Sequence, residues 1–95
     1  MQHDLDKKSL EHFINRMGMY IHPTSKETIV SFIHGYEVGR GNQELTNLIS
    51  QLLDEQFGIK RKATGWPNQI ESYSKKKEIN WIEGFKEIMQ ILIKR

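Results

Sequence analysis

Apolar positions along the chain recur at intervals of three and four residues and never in sustained alternation, which is the pattern of amphipathic helices and not of strands. Leu10, Phe13, Ile14 and Met17 fall at i, i+3, i+4 and i+7. They share one helical face, and Gly18 comes next, where a left-handed cap would end the helix, so a first helix is predicted over about residues 5–17. Thr24 then stands three residues before Glu27, the spacing at which each side chain can satisfy the other's backbone amide at a helix start. Ile29, Phe32, Ile33 and Tyr36 form the apolar face of a second helix over about residues 25–38.

Gly39 and Gly41 bracket Arg40 at its end, and Asn42 suits the N-cap of the next helix. Leu45, Leu48, Ile49, Leu52, Leu53 and Phe57 keep the helical period, Gly58 closes it, and a third helix is predicted over about 43–57. The basic stretch IKRKATG has no period and reads as a loop. Trp66-Pro67 opens a short helix over about 67–74, because proline is tolerated in a first turn where its missing amide costs nothing. Ile70 and Tyr73 would join Trp66 on its buried side.

SKKK reads as a polar junction before a last helix over about 78–94. There Ile82, Phe85, Met89 and Leu92 form a stripe, widened by Ile79, Trp81, Ile88 and Ile91 until it can meet two neighbours at once. The expected fold is all-α, a compact single-domain bundle of four to five helices spanning residues 1–95.

Composition narrows the functional field more than it changes the fold. A chain of 95 residues with 37% apolar residues has room for one modest core. Cysteine is absent, which removes disulfides and thiolate metal sites and gives no sign of an oxidising compartment. The opening MQHDLDKK is polar, and the apolar run from Ile88 to Ile93 is interrupted by Gln90, far short of the roughly 18 residues that suggest a membrane span. A cytoplasmic location without membrane association is the expectation. The net charge of +2 is divided unevenly, with acidic residues in excess up to Phe57 and basic residues in excess after it. That asymmetry suits a charged partner for one face.

Searches for chemistry along the chain return little. The glycines of HGYEVGRG, at 35, 39 and 41, do not match dinucleotide spacing, and no Gly-Lys-Ser/Thr comes after them. Helix ends and turns explain them better than a phosphate cradle. His3, His12, His22 and His34 include no pair one turn apart and no His-Glu-x-x-His, so no metal site is expected. The serines fall at caps and junctions, and the acids show no spacing that singles out a general acid/base pair. No catalytic residue and no cofactor is expected, and the chain reads as a non-enzyme.

Nucleic-acid binding has more to recommend it. Lys60, Arg61 and Lys62, with Lys75, Lys76 and Lys77, form two basic clusters around Trp66 and Tyr73, which combines phosphate neutralisation with aromatic stacking. Against it stand the small net charge and a turn before the third helix that is too long for a tight helix-turn-helix. A small nucleic-acid-binding regulator built on the basic C-terminal half is therefore the alternative reading.

Four short stretches carry the leading one. RMGMYI, SFIHGYEVG, GWPNQI and WIEGFKEIMQIL occur in this order and span roughly residues 10–92. Together they resemble a family of small bacterial immunity proteins, the antidotes of polymorphic-toxin and contact-dependent growth inhibition systems. The matching positions are Arg16, Gly18, Met19, Tyr20, Gly35, Tyr36, Gly65, Trp66 and Ile70, while Met17 stands where the family pattern has proline. What the resemblance implies is binding of a cognate toxin domain in the cytoplasm, with no catalytic residue to carry over.

An inhibitor of that kind needs a rigid scaffold, aromatic anchors and charges matched to its partner. Tyr20, Tyr36 and Trp66 have the side chains for anchors, although Tyr36 and Trp66 also stand at core spacing. Glu37, Glu44, Asp54 and Glu55 would face a basic nuclease toxin, and the lysine clusters would face an acidic one.

Overall fold

The computed structural model describes residues 7–17, 24–63 and 65–94. Five helices account for most of them: α1 (Lys7–Asn15), α2 (Lys26–Arg40), α3 (Glu44–Phe57), α4 (Trp66–Lys77) and α5 (Trp81–Lys94). No strand occurs among the described residues, and the fold is all-α as the apolar spacing predicts. The chain forms two compact units, residues 1–45 and 46–95, with the boundary inside the first turn of α3.

In the first unit the predicted faces are buried. Leu10, Phe13, Ile14 and Met17 are withdrawn from solvent, as are Ile29 and Ile33 of α2. Phe13 stacks on Phe32, ring centroids 4.2 Å apart and planes within 5°. The start of α2 lies one residue later than the sequence suggests. Ser25, not Thr24, is the cap: its Oγ accepts from Thr28 N at 3.3 Å, and Thr28 Oγ1 accepts from Ser25 N at 2.9 Å. Threonine thus performs the reciprocal role expected of Glu27, because its hydroxyl both accepts and donates at this range.

The helix ends at Gly41, which adopts φ +74°. Its N–H donates to Glu37 O and Val38 O, and Asn42 N to Glu37 O, closing the last carbonyls by a Schellman arrangement that requires a left-handed residue. Gly39 lies inside the helix, so of the two bracketing glycines only Gly41 serves as its cap. The next helix begins at Glu44, one residue later than expected, and Asn42 stands two residues before it, its Oδ1 accepting from Glu44 N at 3.1 Å.

The second unit gathers Ile49, Leu52, Leu53, Ile59, Trp66, Ile70, Tyr73, Phe85, Ile88, Met89 and Leu92 into its core. Packing of α4 against α5 depends on Gly84, where a β-carbon would collide with Ser74 Oγ and crowd Ser74 Cβ at 3.1 Å. Around this approach Trp81 stacks on Phe85 at 5.5 Å, Trp66 lies 5.9 Å from Phe85, and Trp81 Nε1 donates to Pro67 O at 2.9 Å.

Two boundaries differ from expectation. SKKK belongs to the last turn of α4 and is not a junction: lysine is a good helix former, and three lysines at a helix C-terminus oppose the macrodipole. Glu78 terminates this helix in the left-handed region, φ 60°, unusual for a residue with a side chain. The last helix begins at Trp81 because Asn80 and Glu83 cap one another, Glu83 N donating to Asn80 Oδ1 at 2.8 Å and Asn80 N to Glu83 Oε1 at 3.4 Å. Ile79 therefore lies before α5, outside its stripe.

Tyr73 supplies a titratable contact in this core. Its hydroxyl donates to Glu87 Oε1 at 2.6 Å, and burial, with a further push from that bond and the carboxylate charge, moves its pKa from 10.0 up to about 12. The neutral phenol is thus favoured in the folded state. This contribution is fully present below pH 10 and is lost as pH rises towards about 12, because the unfolded chain releases the proton first. Urea unfolding at pH 9 and pH 11.5 should show wild type losing more stability across that interval than Tyr73→Phe.

Candidate functional site

The C-terminal end of α2 and the turn into α3 collect the binding-type side chains of the first unit. Tyr36 and Arg40 stand one turn apart on α2, and Glu44, the first residue of α3, meets Arg40 across the Gly41 turn. Arg40 Nη1 donates to Tyr36 OH at 3.2 Å, its guanidinium carbon lies 5.5 Å from the ring centroid, and its Nη2 is 3.9 Å from Glu44 Oε1. The guanidinium is thereby held over the phenol ring, which limits the rotamer entropy this long side chain has left to lose on binding. Glu44 Oε1 is buried and takes part in no hydrogen bond among the described residues.

Val38 is 67% exposed, the one large hydrophobic side chain so exposed among the described residues. It borders a shallow recess of about 220 Å³ lined also by His34, Glu37, Gly41, Asn42 and Gln43. An exposed valine alone is ordinary. The same helix end also carries, on another side, a half-buried tyrosine and an oriented arginine, residue types enriched among those that dominate binding energy at interfaces.

The residues singled out from sequence fare differently. Tyr20 lies outside the described residues. Tyr36 is half-buried and available at the surface. Trp66 is not an anchor: it is 6% exposed, with its indole among Trp81 and Phe85, so its core spacing decides the matter. Glu37 is 7% exposed and continues the buried line of Ile29 and Ile33 at four-residue steps, which removes it from a surface acidic patch.

Asp54 pairs with Lys60 at 3.7 Å, and Glu55 is exposed but accepts from Gln51 Nε2 at 2.9 Å. The four acids expected to face a basic partner therefore do not act as four free surface carboxylates. Arg40 and Val38 were not singled out from the sequence, although the one-turn spacing of Tyr36 and Arg40 on α2 was visible there.

The basic clusters also divide. Lys75 pairs with Glu71 at 3.4 Å and Lys77 lies 5.9 Å over the Tyr73 ring, leaving Lys76 to face elsewhere. Trp66 and Tyr73, the expected stacking platform, are both buried. Among the described residues no group of three His, Asp or Glu side chains could hold a metal ion, and no helix is long and apolar enough to cross a membrane. No family model matches the chain, and no curated protein or solved structure is significantly similar to it.

Proposed function

We propose that this chain is a non-catalytic binding protein of the immunity type, which neutralises a bacterial toxin domain by covering its active or substrate-binding surface. The observation that carries the reading is the last turns of α2, which present an exposed Val38 beside a shallow recess and, on another side of the helix, Tyr36 with a guanidinium already oriented on its ring. Supporting it are the ordered stretches RMGMYI, SFIHGYEVG, GWPNQI and WIEGFKEIMQIL, which resemble small immunity proteins. Function in the cytoplasm, where such an antidote meets its toxin, belongs to the same proposal.

The proposed anchors are Tyr36, Val38 and Arg40, with polar Asn42 and Gln43 at the rim. Burial of Glu37 and the local pairing of Glu44 and Asp54 move the reading away from an acidic face. An aromatic side chain, an aliphatic one and an arginine need only a complementary pocket and a carboxylate or carbonyl opposite them.

Titration calorimetry against a toxin domain identified by its co-purification with this chain tests the assignment. Val38→Asp should weaken binding at least tenfold, because it places a desolvated carboxylate in the interface, about 1.4 kcal/mol or more. Its exposure predicts unchanged thermal stability. Equal affinity of wild type and variant would place the interface elsewhere.

A further inference from the structure

The second unit contains a larger opening that a toxin-binding face on α2 does not use. It is an open cleft of about 490 Å³ between the segment after α3 and one side of α4, lined by Lys60, Lys62, Asn68, Gln69, Ser72 and Lys76 together with Gly58, Ile59 and Gly65. Among the described residues no carboxylate lines it. Asn68, Ser72 and Lys76 succeed one another at four-residue steps and form a polar column roughly 12 Å long on α4.

Lys60 is shared with Asp54, but Lys62 and Lys76 take part in no ion pair among the described residues. The neighbours Lys75 and Lys77 are engaged with Glu71 and the Tyr73 ring, so only Lys76 of that run enters the opening. Lysine ammonium and amide groups line the cleft, and the serine hydroxyl can also donate.

The wall is anchored rather than loose. Gln69 is 2% exposed and spends its amide inward, with Oε1 accepting from Ser50 Oγ at 2.7 Å and Nε2 donating to Ile59 O at 2.8 Å and Ser50 O at 3.3 Å. This ties Ile59, next to Lys60, to the helix that bears Lys76. Two unpaired cations and a third half-neutralised one, facing a cleft of ligand size with no acid, call for a small anion of more than one negative charge.

We propose that this cleft binds a small multiply charged phosphate anion of the diphosphate class, recognised through its oxygens by Lys60, Lys62 and Lys76 with Asn68 and Ser72. Burial of Trp66 and Tyr73 leaves no aromatic platform beside it, so recognition is of phosphate and not of a base. The proposal stands independently of toxin binding.

The test is a low-salt NMR titration of the full chain with inorganic pyrophosphate, monitoring the amides of residues 59–62, 68 and 72. Saturable shifts confined to these positions are expected. The double variant Lys62→Gln/Lys76→Gln should raise the dissociation constant at least tenfold, whereas Lys75→Gln should leave it unchanged. A parallel titration with ADP checks that recognition is of phosphate: affinity no tighter than that of pyrophosphate supports the proposal, and clearly tighter binding of ADP, which would show that the nucleoside contributes, would overturn it. Absence of saturable shifts, pyrophosphate affinity untouched by the double variant, or response to a single-stranded oligonucleotide alone would each overturn it.

Discussion

Gly84→Ala is expected to destabilise the protein by about 2 kcal/mol, although alanine is the better helix former by roughly 1 kcal/mol. The added methyl group points at Ser74, whose Oγ already donates to Ile70 O at 2.8 Å. Rotating that hydroxyl away gives up the hydrogen bond, and Ser74 Cβ still remains 3.1 Å from the new atom. Relief therefore requires α4 and α5 to separate, which loosens Phe85, Ile88 and Met89, all fully buried. Urea unfolding measures the loss, and a double-mutant cycle identifies its cause. Combined with Ser74→Gly, which removes both crowding atoms, Gly84→Ala should cost clearly less than it does alone. A single variant as stable as wild type would show that this helix pair is not closely packed.

Gln69→Leu should cost about 3 kcal/mol, since a side chain of similar volume leaves the Ser50 and Ile59 partners without their hydrogen bonds in a buried setting. The loss should be local as well as global. Hydrogen exchange at Ile59 and Lys60 should accelerate by more than the global destabilisation accounts for, because Gln69 ties this segment to α4. Uniform acceleration across α3, α4 and α5 would make Gln69 an ordinary core residue and remove its bracing role.

Neither residue stands out in the sequence, for different reasons. Gln69 occupies the buried side defined by Trp66, Ile70 and Tyr73, so a polar residue at an apolar register was visible, but its partners come from Ser50 and Ile59, far along the chain. Gly84 interrupts no period, and its role depends on which residue of another helix comes to face it.

The helices themselves were legible, because the i, i+3, i+4 spacing of Leu10 to Met17 and of Leu45 to Leu53 reports burial directly. Their ends were less so. Ser25 and Thr24 are both good caps, and only the hydroxyl geometry of Thr28 chooses between them. Asn80-x-x-Glu83 is a capping pair that the expected start near residue 78 passed over, whereas Glu78 in a left-handed conformation had no signal in residue type.

Of the residues that the sequence suggested for a binding surface, Tyr36 is half-buried, while Glu37 and Trp66 are buried. A carboxylate looks exposed by composition alone, yet Glu37 lies on the same four-residue line as Ile29 and Ile33 and is buried with them. Trp66 satisfied both a core and an anchor reading until its ring neighbours were known. Val38 carried no mark, since only its exposure, not its residue type, sets it apart.

The most direct test is bacterial growth during expression of the C-terminal domain of any large protein encoded beside this chain, with the wild-type chain or Val38→Asp supplied from a second plasmid. Rescue by wild type with recovery of a stable complex, and markedly weaker rescue by a Val38→Asp protein present at equal abundance, is the result predicted. A toxic domain that the wild-type chain neither binds nor restrains would contradict the immunity proposal itself, and full protection by Val38→Asp would contradict the α2 surface as its binding face.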